Sequence, residues 1–303
     1  MSESAYAMLE SRAALAVAGP DRVAFLQGLV STDVAAVSET AAIHAAFLTA
    51  QGKYLHDFFI AALGDGFVLD CEAARAEDLK KRLSIYRLRS KVTIEARPDL
   101  AVAAAFGAGA AEALGLAGKA GAARRLGGGV AFVDPRLAEA GARAVLPADT
   151  AAATLKSAGL AAGGVAAGGA AAYERLRLSL GLPDGSRDLV PEKSILLENG
   201  FDELNGVDWD KGCFLGQELT ARTHYRGLVK KRLMPVEIDG PLPDPGAPVM
   251  LDGKEAGEMR SGADTLGLAL LRLEAVERAA RGDAALTAGE ARLTPRKPGW
   301  AAF

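Results

Sequence analysis

Apolar residues near the N-terminus recur at the spacing of a helix. In the stretch GPDRVAFLQGLVSTDV, Pro20 and Asp21 suit a first helical turn. An apolar stripe follows, at Val23, Phe25, Leu26, Leu29 and Val30. The pattern predicts a short helix that ends near Ser31.

The next stretch alternates in the manner of β-strands. AAFLTAQGKYLHDFFIAAL reads as two strand-like runs on either side of Gln51 and Gly52, and a turn at residues 64–66 leads into a third run, FVLDCE. These runs predict an antiparallel meander. Apolar residues at helical spacing then predict a charged helix over residues 74–88, and KVTIEA follows as a strand.

The middle of the chain, residues 101–172, is rich in alanine and glycine. RLGGGVAFVDPR and GARAVLP are its only convincing strand pieces, and short bursts of Val, Leu and Phe favour a small α/β lobe over a linker. AAAYERLRLSLGLPDG then predicts a helix that Gly181 and Pro183 end.

The composition of the chain changes again after Arg232. Prolines interrupt short β-rich runs there, and Asp252-Gly253 predicts a hairpin turn. LGLALLRLEAV is a strand candidate whose periodicity also admits a helix. We place a boundary near Val229 and expect a small β-barrel or sandwich beyond it.

Composition limits the class of protein. The chain has 303 residues, enough for about two domains, and its formal net charge of −3 argues against a surface that binds nucleic acid or anionic lipid throughout. Two cysteines far apart and three histidines give no zinc-type spacing, so we predict no metal site and a reducing compartment. No run approaches about 18 apolar residues, and we expect a cytoplasmic protein without a membrane partner.

The stretch KGCFLGQE, residues 211–218, carries the strongest chemical signal. Gly212 and Gly216 tolerate positive φ, and a tight loop that opens a short helix is predicted. Free N–H groups at the helix start, together with Lys211, would favour the thiolate form of Cys213. The alternative is that Cys213 is a small buried hydrophobe. Cys71, at the end of an alternating strand, is predicted to be structural.

A basic window follows this cysteine. Residues 211–232 hold six Lys or Arg side chains against one acid, a local charge of +5. Arg222 and Arg226 suit the glutamate carboxylates of a folate, or phosphates, through charge-assisted hydrogen bonds. The alternative is that they are ordinary solvated residues.

KGCFLGQE resembles the K-G-C-[FY]-x-G-Q-E signature of the folate-binding YgfZ family, relatives of the glycine-cleavage T protein, an aminomethyltransferase. FLQGLVSTDV, FLTAQGKYLHDFFI, YRLRSKV and GVDWDKGCFLGQELTARTHYRGLVKKRL support the resemblance. It implies an α+β, T-protein-like three-lobed fold around a central folate pocket, with a C-terminal β-barrel. Residues 1–228 would form two interleaved α/β lobes, the second over roughly 46–150, and residues 229–303 the barrel.

The same resemblance implies a function. It points to a protein that binds tetrahydrofolate, or a one-carbon derivative, and assists the assembly or maintenance of iron–sulfur proteins, including those of iron–sulfur-dependent tRNA modification. Iron–sulfur client or assembly proteins would be its partners. The expected site residues are Cys213 and Asp57 for chemistry, with Asp57, Lys211, Gln217, Glu218, Arg222 and Arg226 for the folate.

Two departures from the T protein argue against classical turnover. Ser179 stands where that enzyme has a glutamate, and GVDWD replaces its arginine cluster. The alternatives are a folate-dependent one-carbon transferase with a different donor and, less favoured, an interaction module whose basic window binds tRNA directly.

Overall fold

A computed structural model of the chain describes residues 4–162, 169–227, 229–282 and 284–303. The chain forms two compact units, each assembled from separate stretches. The first comprises Met1–Leu48, Leu55–Tyr173 and Leu204–Leu215. The second comprises Thr49–Tyr54, Glu174–Glu203 and Gly216–Phe303. The division into residues 1–228 and 229–303 stays a prediction.

The first unit contains two sheets. One has five strands in the order β3-β4-β5-β2-β6, and the other has six in the order β11-β1-β7-β10-β9-β8. The strands are β1 (Ala5–Met8), β2 (Arg12–Ala18), β3 (Ile43–Leu48), β4 (Tyr54–Leu63), β5 (Gly66–Glu72), β6 (Thr93–Ala96), β7 (Leu100–Phe106), β8 (Ala123–Leu126), β9 (Gly129–Val133), β10 (Ala142–Pro147) and β11 (Ala161–Ala162). The helices are α1 (Arg22–Gln27), α2 (Ala76–Tyr86), α3 (Ala110–Ala113) and α4 (Ala151–Ser157).

Hydrophobic burial holds these layers together. Phe25 of α1 and Leu79 and Leu83 of α2 pack on the five-stranded sheet, because their helical spacing puts them on one face. A second apolar cluster, which contains Phe59 and Phe132, joins residues of the two sheets. Burial of this kind is the main favourable term in folding.

A buried ionic network lies beside that cluster. Arg12 Nε lies 2.6 Å from an Asp70 carboxylate oxygen, and an Arg143 terminal nitrogen donates to the other oxygen at 2.7 Å. The Arg143 guanidinium carbon also lies 4.1 Å from the centre of the Phe59 ring. Because buried charges are tolerated only when paired, this network links β2, β5 and β10 through side chains as well as by packing.

The second unit contains a closed barrel with the strand order β12-β15-β14-β13-β16-β17. Its strands are β12 (Lys231–Asp239), β13 (Pro248–Leu251), β14 (Lys254–Ala263), β15 (Leu266–Arg272), β16 (Leu286–Ala288) and β17 (Ala291–Pro295). Its helices are α6 (Gln217–Tyr225) and α7 (Leu273–Ala280), and it takes the C-terminal part of α5 (Gly169–Leu180). The barrel is the one predicted beyond Val229.

Most predicted elements are present, with three differences. Helix α1 ends at Gln27, earlier than expected, and Val30 instead forms a bridge with Phe47. The stretch LGLALLRLEAV divides into strand β15 and the start of helix α7, so each alternative holds for one part. The alanine-rich run LAVAAAF was not predicted, yet it forms β7 between β1 and β10.

Candidate functional site

The cysteine loop, residues 211–216, has the local structure that its glycines predict. Gly212 has φ of 89° and Gly216 has φ of 79°, both in the left-handed region that favours glycine. Gly216 is the N-cap of α6, and Cys213 between them is exposed. The prediction of a tight loop that opens a short helix is confirmed, and Cys213 is not a buried hydrophobe.

The loop is fastened to the end of α1 on both sides of the cysteine. Upstream, Lys211 Nζ donates to the backbone oxygens of Gln27, at 2.7 Å, and Val30. Downstream, the Leu215 backbone N–H donates to the Gly28 oxygen at 3.0 Å. These carbonyls lie at the helix C-terminus, where the last backbone oxygens lack helical partners and attract cations.

Side chains of the α1 segment complete this attachment. Gln27 Nε2 donates to the Lys211 backbone oxygen at 3.3 Å and to Asp33 Oδ1 at 2.9 Å. The Ser31 hydroxyl donates to the Gly206 oxygen, and the Asp208 N–H donates to the Ser31 oxygen at 2.9 Å. We call these contacts between residues 27–31 and 206–215 the loop clamp.

Sequence reasoning did not identify Gln27 and Ser31. Both lie in the stretch FLQGLVSTDV, where they interrupt an apolar run. A half-buried amide and a fully buried hydroxyl in such a run require hydrogen-bond partners, which is the signal that would have singled them out.

Lys211 makes structural contacts that the sequence did not predict. Its amine donates to two carbonyls and lies 5.2 Å from the centre of the Phe214 ring. Burial lowers the pKa of Lys211 to about 8, against the opposing influence of Asp33 and Asp208. The geometry therefore makes Lys211 a residue that positions the loop, while its contact with folate stays a prediction.

Asp57 lies in the same unit, inside the sheet. Its carboxylate oxygen lies 3.2 Å from His44 Nε2, and its side chain is only 4% exposed. Burial lowers the pKa of His44, which favours the neutral imidazole. Asp57 is thus enclosed beside a histidine of the neighbouring strand, and its role in chemistry or folate binding stays a prediction.

His56, next to Asp57 in the chain, points to a different partner. Its Nε2 lies 3.0 Å from Asp78 Oδ2 on helix α2. Burial, with Arg75 nearby, lowers the pKa of His56 to about 4. Neighbouring strand residues face opposite sides of a sheet, so His56 and Asp57 do not act as a pair.

The other predicted site residues belong to the second unit. Gln217 and Glu218 form the first turn of α6, and Arg222 and Arg226 are exposed at its other end. The helix is held by close backbone contact, since a Cβ on Gly52 would lie 2.6 Å from the Gly216 oxygen. The two exposed guanidinium groups suit an anionic ligand.

A further carboxylate in the second unit was not predicted. Glu198 is half-buried, and desolvation raises its pKa although Lys231, Lys53, Arg260 and Arg232 oppose the shift. Two of these cations also pair with other acids, Arg232 with Asp202 and Glu203 and Arg260 with Glu258. The sequence signal was weak, because Glu198 and these cations come from four separate stretches of the chain.

Within the described ranges, no group of three or more His, Cys, Asp or Glu side chains has the arrangement of a metal site. Among these same residues, none of the helices is long and apolar enough to cross a membrane.

The fold belongs to the class of the glycine-cleavage aminomethyltransferases. The crystal structure of glycine cleavage system aminomethyltransferase T from Bartonella henselae matches 99% of this chain and 86% of its own, with a TM-score of 0.75 and 17% identity. This likeness confirms the predicted T-protein-like α+β fold. The family model for the CAF17 C-terminal beta-barrel domain matches residues 230–303.

Curated relatives identify the family. The human mitochondrial iron–sulfur cluster assembly factor IBA57 is 37% identical over 289 residues, which cover 89% of this chain and 78% of the relative. The mouse protein of the same name is 35% identical over 292 residues, with the same two coverages. The chain therefore belongs to the IBA57 family of iron–sulfur cluster assembly factors, which confirms the resemblance to YgfZ proteins. Both relatives are named as mitochondrial, so they do not support the expected cytoplasmic location.

Proposed function

We propose that this protein assists the assembly of iron–sulfur clusters and that Cys213 is the thiol through which it acts. The observation that carries the proposal is an exposed cysteine in a clamped glycine loop, within a chain of the IBA57 family. A solvent-exposed thiol on a fixed backbone suits metal ligation or sulfur exchange, whereas a buried thiol is inert.

The number of cysteines limits how this chain can ligate an iron–sulfur cluster. Iron–sulfur clusters are usually held by four cysteine thiolates. Cys71 is buried and Cys213 is exposed, so this chain offers one accessible thiol. Cys213 would therefore share a cluster, as substrate, with thiols of an assembly partner and would not hold the cluster alone.

The loop clamp gives Lys211 a part in this function. It fixes the backbone on both sides of Cys213 by hydrogen bonds from Lys211 and Leu215 to the α1 segment. A thiol that must meet a cluster held by another protein benefits from such preorganisation, because less conformational entropy is lost on contact. Lys211 is thus a positioning residue for the thiol.

Tetrahydrofolate binding is the second part of the proposal. The exposed Arg222 and Arg226 fit the carboxylates of a folate glutamate tail, and Gln217 and Glu218 offer polar groups on the same helix. Asp57 is enclosed with His44 and fits a pterin contact less well. Folate would supply a one-carbon group or act only as a ligand.

A complementation assay tests the role of the thiol. Cells that lack their own family member would express wild type, Cys213→Ser or Cys71→Ser, and the activity of a cluster-dependent enzyme would be measured. We expect Cys213→Ser to fall to the level of the empty vector at equal protein abundance, and Cys71→Ser to retain activity. Full activity of Cys213→Ser would overturn the proposal.

Calorimetric titration tests the folate claim. We expect tetrahydrofolate to bind, and a hundredfold excess over Kd to stabilise the protein by about 2.7 kcal/mol. Arg222→Ala with Arg226→Ala should weaken binding, with Arg292→Ala, an exposed barrel arginine, as the matched control. No heat and no melting shift at millimolar ligand would remove folate from the proposal, and product formation from methylene-tetrahydrofolate would favour the transferase alternative.

Salt dependence tests direct tRNA binding, which the +5 window of residues 211–232 suggests. Binding through phosphates would weaken steeply with salt. Association with iron–sulfur-dependent tRNA modification through client enzymes requires no such contact. Cell fractionation decides between the cytoplasm, which composition favours, and the organelle in which the named relatives reside.

A further inference from the structure

We infer that the C-terminal end of helix α2 and the turn after it, residues 85–91, form a docking surface for an acidic protein segment that carries an apolar side chain. We call this the α2-end surface. The surface itself stands on observations independent of the proposed function, and only its relation to Cys213 rests on that function.

Exposed large apolar side chains concentrate at this surface. Ile85 is 64% exposed and Leu88 is 88% exposed, with Tyr86 beside them at 39%. Elsewhere in the described residues the exposed large apolar side chains are Tyr225 and Leu242, which are far apart in the chain. Single exposed apolar residues need no explanation, but a cluster of three within four positions is typical of an interaction site.

The backbone at Leu88 supports this reading. Leu88 has φ of 43°, in the left-handed region that a bulky residue rarely adopts. Asparagine or glycine adopts that conformation with less strain than leucine does. The turn alone therefore does not explain a leucine at this position. Strained backbone of this kind is found most often where a side chain has a function.

Positive charge surrounds the apolar cluster. Residues 79–91, LKKRLSIYRLRSK, hold six Lys or Arg side chains and no acid, a local charge of +6 in a chain of net −3. Arg82 pairs with Asp78. In the part of the chain that the structure describes, no acidic side chain pairs with the remaining five cations, Lys80, Lys81, Arg87, Arg89 and Lys91.

Charge complementarity indicates the occupant. Unpaired cations around a small apolar centre match an acidic segment with one or two apolar side chains, since opposite charges steer the encounter and the apolar contact supplies affinity. A second copy of the chain would place like charges together. Nucleic acid would gain little from Ile85 and Leu88, because single strands bind by stacking on aromatic rings and the one ring of residues 85–91, Tyr86, packs against Phe47.

A recess adjoins the surface at the start of helix α1. Leu88, Arg89 and Ser90 line an open recess of about 690 Å³ together with Asp21, the N-cap of α1. Helix α1 has six residues, so its two ends are roughly 9 Å apart at 1.5 Å per residue. The far end of α1 carries the loop clamp.

A second connection runs through side chains of the same unit. The Tyr86 ring packs edge-on against Phe47, with 5.9 Å between ring centres. Phe47 forms a backbone bridge with Val30, whose oxygen accepts the Lys211 amine. A partner docked on the α2-end surface would therefore lie next to the segment that positions Cys213. A protein that exchanges a cluster with this thiol has to come that near to it.

Binding of defined probes tests the inference on the full chain. The probe is a fluorescent 14-residue peptide of alternating Glu and Leu, and its comparators are a Glu/Ser peptide, phosphatidylglycerol vesicles and a transfer RNA. Leu88→Asn removes the apolar side chain at a position whose φ suits asparagine, so the variant should fold at least as well as wild type. Leu242→Asn is the matched control, at an exposed leucine of the second unit.

We expect the Glu/Leu peptide to bind at least tenfold more weakly to Leu88→Asn and to Arg87→Glu with Arg89→Glu, and within twofold of wild type to Leu242→Asn. The Glu/Ser peptide should bind at least tenfold more weakly than the Glu/Leu peptide. Equal binding to all variants, no peptide binding, or preferential binding of vesicles or RNA that depends on Leu88 would each overturn the inference.

The complementation assay separates this inference from the proposed function. If Cys213→Ser loses activity while Leu88→Asn binds the peptide normally, the docking surface fails and the proposed function stands. If Leu88→Asn loses the peptide while Cys213→Ser keeps its activity, the surface stands and the role of the thiol fails.

Discussion

The two cysteines of this chain lie in regions with opposite properties. Cys71 lies on strand β5, where it is 2% exposed, its thiol is directed to the Ala13 oxygen at 3.5 Å, and burial raises its pKa to about 12. Cys213 is exposed in a loop that two left-handed glycines shape. The thiol group is the same, and the surrounding backbone decides whether it meets solvent.

The difference has a physical cause that can be read in the neighbouring residues. FVLDCE alternates apolar and polar positions, which places every second side chain in the core of a sheet. KGCFLGQE has no such alternation, and its glycines bend the chain while Lys211 and Leu215 attach it to α1. A fixed loop presents its side chain without burying it.

Serine substitution at each cysteine should give the largest difference in stability between the two regions. Cys71→Ser places a hydroxyl among apolar neighbours, so we expect the free energy of unfolding to fall by about 1–3 kcal/mol. Cys213→Ser changes an exposed group, and we expect a change within about 0.5 kcal/mol. Denaturant unfolding monitored by circular dichroism measures both, and equal losses at the two sites would contradict the contrast.

Removal of the Lys211 amine tests the loop clamp through the pH dependence of the free energy of unfolding. The pKa of Lys211 is about 8 in the folded protein, below its ordinary value of 10.5. Between these values the unfolded chain binds more protons than the folded one, so the free energy of unfolding contributed by this group rises with pH from about 8 to 10.5. Lys211→Met should lack that rise.

The measurement is the difference in unfolding free energy between wild type and Lys211→Met from pH 7 to 10, in which the titration of other groups cancels. Lys211→Arg is the control that keeps a cation and donors. Parallel curves for wild type and Lys211→Met would show that the amine is not desolvated against α1.

Alanine at a loop glycine should have the smallest effect. At Gly212, φ is 89° and an added Cβ would meet no atom within 4 Å, so Gly212→Ala costs only backbone strain, about 1 kcal/mol. Gly28 has equally open surroundings but φ of −78°, and Gly28→Ala should be neutral or stabilising by about 0.4–1 kcal/mol. Thermal unfolding of the two variants checks the sign of the difference, and equal effects would contradict the role of the left-handed turn.

Much of the fold could be predicted because its signals are local. The barrel hairpin follows from Asp252-Gly253, both with positive φ, and the loop before α6 follows from Gly212 and Gly216. Strand β7 could not be predicted in this way, because LAVAAAF consists mostly of alanine, which is depleted in strands. Its flanking strands β1 and β10 decide its conformation, and they come from distant parts of the chain.

The site was predictable only in part for a similar reason. The glycines mark Cys213 as exposed, whereas the partners of Lys211 lie 181 or more residues away in the chain. Asp57 was expected near a ligand, yet its contact with His44 depends on strand pairing within the sheet. The local sequence pattern indicates which residues are candidates for a functional site. Tertiary contacts, which that pattern does not show, determine the partners of those residues.

Alkylation of the native protein tests the central claim most directly. After brief treatment with iodoacetamide at neutral pH and tryptic digestion, mass spectrometry of the native protein should find the modified thiol in the peptide of residues 212–222, with Cys71 modified only after denaturation. Protection of Cys213 in the native protein, or modification of Cys71 at a similar rate, would contradict the account.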